Sequence, residues 1–146
     1  MARPFILALA GIVSVGLAGC GYGPVVPAPP PTLTPSPDNT LERREVEEAL
    51  PHRLDCSSEP VQIVEPAMQV ALTGNCPRVE IYSESVIVTV EEAGELMVDA
   101  YGAIVLAGSI GSVELSPDAS GSLIQWETGR PQVKNESESS VLRRVQ

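Results

Sequence analysis

The fold is decided by residues 61–115, which read VQIVEPAMQVALTGNCPRVEIYSESVIVTVEEAGELMVDAYGAIVLAGSIGSVEL. Apolar residues recur here in pairs separated by one residue, and the pairs recur about every nine residues. Alternation with a period of two is typical of short strands that bury one side. The pairs are Val61/Ile63, Val70/Leu72, Val79/Ile81, Val88/Val90, Leu96/Val98, Ile104/Leu106, Val113/Leu115 and Ile124/Trp126, and Val133 and Val141 continue the pattern more weakly.

Turn-forming residues separate these pairs, as in Thr73-Gly74-Asn75 and Ser116-Pro117-Asp118. The apolar content of 43% is dominated by Val, Leu, Ile and Ala, which favours strands. A fixed short period without a long helix predicts either a β-solenoid or an up-and-down β-meander.

Cys56 and Cys76 distinguish these two folds. In a solenoid with two strands per coil, a coil takes about 18–20 residues, so the two cysteines occupy matching positions of neighbouring coils, about 4.8 Å apart. A disulfide tolerates that distance. In a meander the same spacing places them about 9–10 Å apart, which is too far. We predict a mainly β fold, a short-strand β-solenoid-like repeat over residues 52–146, with Cys56 and Cys76 bridged. Two separate buried thiols are the alternative.

A short helix is predicted at residues 40–51, ahead of the repeat. Asn39 and Glu42 have the spacing of a capping box, and Pro51 ends the helical pattern. One face of this helix is predicted to carry the apolar residues Leu41, Val46, Ala49 and Leu50. Because the end of a solenoid exposes strand edges, we expect the helix to cover the first coil as a cap.

The amino-terminal stretch MARPFILALAGIVSVGLAGC, which ends at Cys20, predicts an exported protein. The apolar run from Phe5 to Ala18 is about 14 residues long, too short to span a bilayer but suited to a signal peptide at residues 1–19. Leu17-Ala18-Gly19-Cys20 resembles the bacterial lipobox. That resemblance implies cleavage before Cys20 and attachment of diacylglycerol, with palmitate-type acyl chains, to its thiol. An ordinary secretory signal with an incidental cysteine is the alternative.

The cysteine count agrees with lipid attachment. Of three cysteines, a lipidated Cys20 leaves Cys56 and Cys76 as an even pair in an oxidising compartment. Residues 20–39 are rich in proline, which predicts an extended, polyproline-like tether between the anchor and the domain. A proline-rich ligand for a partner is the alternative interpretation.

The charge balance restricts the partners. The formal net charge is −10, from 9 Lys and Arg residues against 19 Asp and Glu residues. An acidic chain repels phosphate backbones, so nucleic acid is not an expected partner.

No residue pattern points to catalysis. His52 is the one histidine, and it follows the predicted helix rather than a nucleophile motif. Glu91, Glu92, Glu95 and Asp99 could gather loosely round a cation, but solvated carboxylates are favoured, because consecutive strand residues face opposite sides. We therefore expect no enzyme activity, no metal site and no cofactor.

Several segments resemble the domain-of-unknown-function 3060 family. The resemblance covers about residues 52–145 and rests on the order and spacing of these segments together. The family is actinobacterial and its members are often lipoproteins or other envelope proteins, so the resemblance implies a β-solenoid-like stack but no activity. The matching segments are Leu72-Thr73-Gly74-Asn75-Cys76, Val79-Glu80-Ile81, the Val86 to Val90 strand, Ile104-Val105-Leu106-Ala107-Gly108 and Trp126 to Asn135.

Together these patterns predict a lipid-anchored protein on the extracytoplasmic side of the cell membrane, with a non-catalytic β-repeat domain that binds or scaffolds. Its expected partners are the membrane, through the lipid, and an envelope protein or the cell wall. The alternatives are a small hydrolase or carbohydrate-acting enzyme on a β-helix scaffold, and a carrier of lipid or another small ligand.

Overall fold

A computed structural model describes residues 41–146. A short 3-10 helix, Pro117–Ala119, lies between the fifth and sixth strands. The main elements are α1 Arg43–Ala49, β1 His52–Asp55, β2 Val61–Ile63, β3 Gln69–Ile81, β4 Ile87–Val98, β5 Ile104–Leu115, β6 Leu123–Thr128, β7 Gln132–Asn135 and β8 Val141–Arg144.

The strands form a parallel β-solenoid of about five turns. Each strand pairs with the equivalent strand one coil further on, so Val88 lies opposite Val105. Among the paired residues, the pairs between β5 and β7, such as Ser112 with Gln132, are the furthest apart in the sequence. Every pairing is parallel, whereas an up-and-down meander is antiparallel, so the solenoid prediction is confirmed.

Each coil contributes to two faces, because β3, β4 and β5 are long enough to turn a corner and pair on both sides of it. We call the first strand column face A and the second face B. Face A is built from β1, residues 69–72, 87–90 and 104–107, β6 and β8, and face B from β2, residues 78–81, 95–98 and 112–115, and β7.

The interior of the solenoid is packed with stacked side chains. On face A, Val88, Val105 and Ile124 follow one another in register, and each is fully buried. Leu96 and Val113 form the matching column on face B. Burying each such side chain stabilises the fold by about 1.5–3 kcal/mol, so these columns hold the coils together.

The predicted inward pairs are observed on most strands, but two were wrong. On β5 the inward residues are Val105 and Ala107, and Leu106 is buried on the outward side of face A against the helix. On β8 Leu142 packs against the core, whereas Val141 is 50% exposed. The run Ile104-Val105-Leu106-Ala107 is apolar throughout, because both sides of the sheet are covered at that point.

One corner of the solenoid is a stack of equivalent turns with left-handed residues. Ala67 and Ser85 both have φ of 57°, and Gly102 and Gly121 follow at equivalent positions with φ of 69° and 70°. Ser85 donates its backbone N–H to Tyr101 O over 3.1 Å, which joins one turn to the next. A left-handed residue with a Cβ costs about 1 kcal/mol, and these inter-coil hydrogen bonds offset that cost.

Helix α1 lies against the outward side of face A. The prediction that it caps the first coil was therefore wrong. Val46 and Leu50 pack on Ala71 and Leu106, which are outward residues of β3 and β5. These strand residues are apolar, and the helix buries them together with its own apolar side.

The start of the helix also differs from the prediction. The helix begins at Arg43, and Glu42 takes the N-cap position without a side-chain hydrogen bond, so the predicted capping box was wrong. Ala49 is exposed rather than part of the apolar face. The extended Leu50 ends the helix directly before Pro51, as predicted.

Candidate binding surface

The predicted lipid attachment site, Cys20, lies outside the described residues. So do the predicted signal peptide at residues 1–19 and the proline-rich tether at residues 20–39. Within residues 41–146, the helix is too short and too polar to cross a membrane.

Cys56 and Cys76 form the predicted disulfide. Their Cα atoms are 4.8 Å apart in neighbouring coils, and both side chains are buried. Further along the solenoid, Ala93 and Ile110 fill the same inward corner. The disulfide therefore closes the corner of the first two coils and excludes the alternative of two separate thiols.

The acidic residues singled out in the sequence lie on different parts of the solenoid. Glu91 is at a corner, where its carboxylate accepts the backbone N–H of Gly74 over 2.7 Å. Glu95 is on face B, 3.6 Å from Arg78 Nε. His52 is exposed on the edge strand β1. Within the described part of the chain, no three or more His, Cys, Asp or Glu side chains are grouped to hold a metal ion.

The outward side of face B carries a flat array of charged and polar side chains, which we call the charged face. It consists of Gln62, Arg78, Glu80, Glu95, Glu114 and Lys134. Equivalent positions of neighbouring coils are about 4.8 Å apart, so side chains of opposite charge can meet directly. The array is flat because parallel strands in register place these residues in straight columns.

The charged face holds two groups of hydrogen bonds and ion pairs. In the first, the Glu80 carboxylate accepts from Gln62 Nε2 over 2.6 Å and lies 3.0 Å from Arg78 Nε. In the second, Lys134 Nζ lies 2.6 Å from Glu114 Oε1 and 3.4 Å from Glu136 Oε1. These contacts pair long side chains of the same or neighbouring strands, so negative and positive groups lie side by side on the face.

Two pKa values report this electrostatic environment. The pKa of Tyr82 is raised, first by loss of hydration and then by the nearby negative charge of Glu80. The pKa of Lys134 is also raised, because its ammonium group donates to Glu114 and Glu136. Carboxylates of neighbouring glutamates thus contribute to both shifts, as the second cause for Tyr82 and as the main cause for Lys134.

A hollow of about 240 Å³ lies within the charged face, between β5 and β7. Ser112, Glu114, Gln132 and Lys134 supply its polar lining, and Val113 and Val133 its apolar lining. Val133 is 49% exposed because β7 is the last strand of face B. The hollow therefore lies beside the Glu114–Lys134 ion pair, at the last strand of face B.

The charged face was not predicted from the sequence, although the spacing of its residues along the chain could have identified it. Its residues alternate with the inward residues of the same strands, as Glu80 does between Val79 and Ile81. Their partners lie one coil away in the sequence, as Gln62 does from Glu80 and Glu114 does from Lys134. Once the coil length is known, the face can be identified from residues one coil length apart in the sequence that carry opposite charges or can hydrogen-bond to each other.

Comparison with known proteins gives no relative, because no family model, no curated protein and no solved structure matches the chain. The resemblance to the domain-of-unknown-function 3060 family stays a prediction.

Proposed function

We propose that this chain is an extracytoplasmic lipoprotein, held on the cell membrane by acyl chains on Cys20, and that its solenoid is a non-catalytic module that binds an envelope partner. The observation that carries the location is the disulfide between Cys56 and Cys76. Such bonds persist in oxidising compartments outside the cytoplasm. The bridge also leaves Cys20 as the one remaining cysteine of three, as lipid attachment requires.

The charged face supports the binding role. It is a flat surface on a rigid repeat, and its side chains are oriented by contacts between coils, such as Glu80 with Gln62 and Lys134 with Glu114. Preorganised polar groups lose little conformational entropy when a partner binds. Because carboxylates outnumber cations there and the whole chain carries −10, the partner should present a basic surface.

A packed interior supports a binding surface over a ligand-carrying cavity. Among the described residues, Val88, Leu96, Val105 and Val113 are each at most 2% exposed and fill the space between the two faces. The hollows at the surface are lined largely by charged or exposed side chains.

In-cell photo-crosslinking tests the binding role. A photo-reactive p-benzoylphenylalanine in place of Gln132, beside the charged hollow, should form an adduct with one protein or one wall component. Glu114→Lys should reduce the yield, because it reverses a charge of the face. Glu45→Lys, on the exposed side of the helix, should leave the yield unchanged.

Two results would contradict the proposal. One is an adduct whose yield does not respond to Glu114→Lys. The other is turnover of a substrate by the purified protein that depends on one of its side chains, which would support a hydrolase instead.

A further inference from the structure

The last strand of face B has one edge that pairs with no other strand of residues 41–146. On its other edge β7 pairs with β5. Face A continues one level further than face B, because β8 pairs with β6. In this part of the chain β8 therefore extends past β7 as a step, and we call the edge of β7 beside it the β7 edge. The backbone N–H and C=O groups along such an edge can pair with an added strand.

Val133 at the β7 edge is exposed, although it occupies an inward position. The same inward column of face B contains Val79, Leu96 and Val113, which are at most 2% exposed. Val133 by contrast is 49% exposed. A further strand with an apolar residue at this level would bury Val133 as the preceding coils bury its equivalents.

The last coil is basic, although the chain as a whole is acidic. Residues 130–146 contain four Arg and Lys residues and two Glu residues, so their formal charge is +2, against −10 for the whole chain. Lys134 lies on β7 itself, with 60% of its side chain exposed. Arg143 and Arg144 lie on β8. Because opposite charges attract across an interface, this distribution favours an acidic occupant of the β7 edge.

Strand β5 shows which side chains suit a neighbour of β7. It pairs with the opposite edge of β7, with Val113 beside Val133 and Glu114 beside Lys134. The Glu114 carboxylate lies 2.6 Å from Lys134 Nζ. Parallel strands in register repeat such positions about 4.8 Å apart. An added strand with an apolar residue followed by an acidic one would therefore repeat both contacts on the β7 edge.

A second copy of the chain does not fit beside β7. The copy's β1 and β2 lie at one level, since both pair with β3. With the copy's β2 on the β7 edge, its β1 would occupy the place of β8. With its β1 paired in register to β8 instead, β7 would stay unpaired and Arg53 of the copy would lie beside Arg143. A single extended segment avoids both conflicts.

We propose that the β7 edge binds an extended acidic segment of a partner protein. The segment adds to face B as a parallel strand, with an apolar side chain over Val133 and a carboxylate beside Lys134. In strand addition of this kind, main-chain hydrogen bonds supply affinity and alternate side chains supply specificity. The site is the edge of the sheet rather than its outward side, so the proposal does not rest on binding to the charged face.

Peptide titration of the isotopically labelled full chain, followed by nuclear magnetic resonance, tests the site. The probe is a peptide with blocked ends and the sequence of residues 109–116, SIGSVELS, which contains the Val-Glu pair that β5 presents to β7. Saturable shifts at millimolar peptide should be largest for the amides of Gln132–Asn135. Replacing the glutamate of the peptide by lysine should weaken binding several-fold, and Lys134→Glu in the protein should reverse that order.

Two further comparisons separate strand addition from other modes of contact. Val133→Ser should weaken binding, whereas Val64→Ser should not, because Val64 is an apolar residue with 63% exposure that follows β2 at the other end of face B. Alternate N–H groups of a strand point to the same edge. Methylating one alternate set of peptide nitrogens should therefore abolish binding, and methylating the other set should be tolerated.

Glu95→Lys tests the charged face separately. Glu95 lies on the outward side of face B, two strands from β7, and its substitution should change peptide binding by no more than about twofold. A loss as large as that caused by Lys134→Glu would assign the binding to the charged face and overturn the proposal.

Other results would also overturn it. These are no saturable binding at millimolar peptide, equal binding by the two methylated peptides, and an order of affinities that ignores Lys134→Glu. Shifts of the β7 amides that grow with protein concentration in the absence of peptide would show that a second copy occupies the edge instead.

Discussion

Cys56 and Cys76 join the first coil of the solenoid to the second, at equivalent corner positions whose Cα atoms are 4.8 Å apart. The backbone N–H of Cys56 also donates to Thr73 O over 3.1 Å, so the same corner is held by a hydrogen bond. The first coil contributes only the short strands β1 and β2, and β1 is exposed throughout. The disulfide therefore acts where few other contacts hold a coil in place.

Removing this disulfide should destabilise the protein and loosen the first coil most. Closing a loop of about 20 residues contributes about 3 kcal/mol to the free energy of unfolding. We expect Cys56→Ala combined with Cys76→Ala to lower the urea midpoint accordingly. Hydrogen exchange should accelerate in β1 and β2 before it does in β4 and β5. An unchanged midpoint with uniform exchange would contradict the assigned role of the bridge.

Arg43 should matter more for stability than its neighbour Arg44. The Arg43 guanidinium lies 2.9 Å from Glu127 and 3.0 Å from Glu47, which ties the helix to β6. Arg44 is an exposed residue of the same helix. Arg43→Ala should reduce the free energy of unfolding by about 1 kcal/mol, and Arg44→Ala by less. Equal losses in chemical denaturation would show that the helix is held without this ion pair.

Two glycines should differ in their tolerance of alanine. A Cβ at Gly111 would lie 2.5 Å from the Gly94 carbonyl oxygen of the preceding coil, so the backbone must shift. We expect a loss of about 2 kcal/mol. A Cβ at Gly102 meets nothing closer than 4.0 Å, and Ala67 and Ser85 already hold that conformation, so Gly102→Ala should cost about 1 kcal/mol. Thermal unfolding of the two variants compares them, and the reverse order would contradict the coil spacing at Gly111.

Tyr82 should titrate above its ordinary pKa of 10.0. The folded protein holds the phenol proton more tightly than the unfolded chain, so the contribution of Tyr82 to stability falls as the pH rises above 10.0. Glu80→Gln should lower the pKa of Tyr82 but leave it above the ordinary value, because loss of hydration is the larger cause of the shift. Ultraviolet titration measures the phenolate, with Tyr82→Phe to assign the signal. Glu84→Gln in the same turn is the control, and an equal response to both substitutions would rule out Glu80 as the source.

The solenoid was predictable because its period is fixed by the chain itself. Alternating apolar residues define the strands, and the spacing of Cys56 and Cys76 selects the stacked coils over a meander. The disulfide and most inward residues followed from the same two observations.

The wrong predictions, of the inward residues of β5 and of the place of the helix, concern the part of the sheet that is covered on both sides. Around Leu106 every residue is apolar, so alternation does not identify the inward side. The place of the helix depends on its burial against Ala71 and Leu106, which are distant in sequence. The charged face required the coil length, because Glu114 and Lys134 meet only after the chain has completed a turn.

The proposed lipid anchor is tested most directly by the intact mass of the protein recovered from the membrane fraction of its own cells. We expect a chain that begins at Cys20 and carries the added mass of acyl chains, and we expect Cys20→Ala to leave an uncleaved chain without that mass. A recovered chain that begins at another residue, or one with an unmodified Cys20 thiol, would contradict lipid attachment.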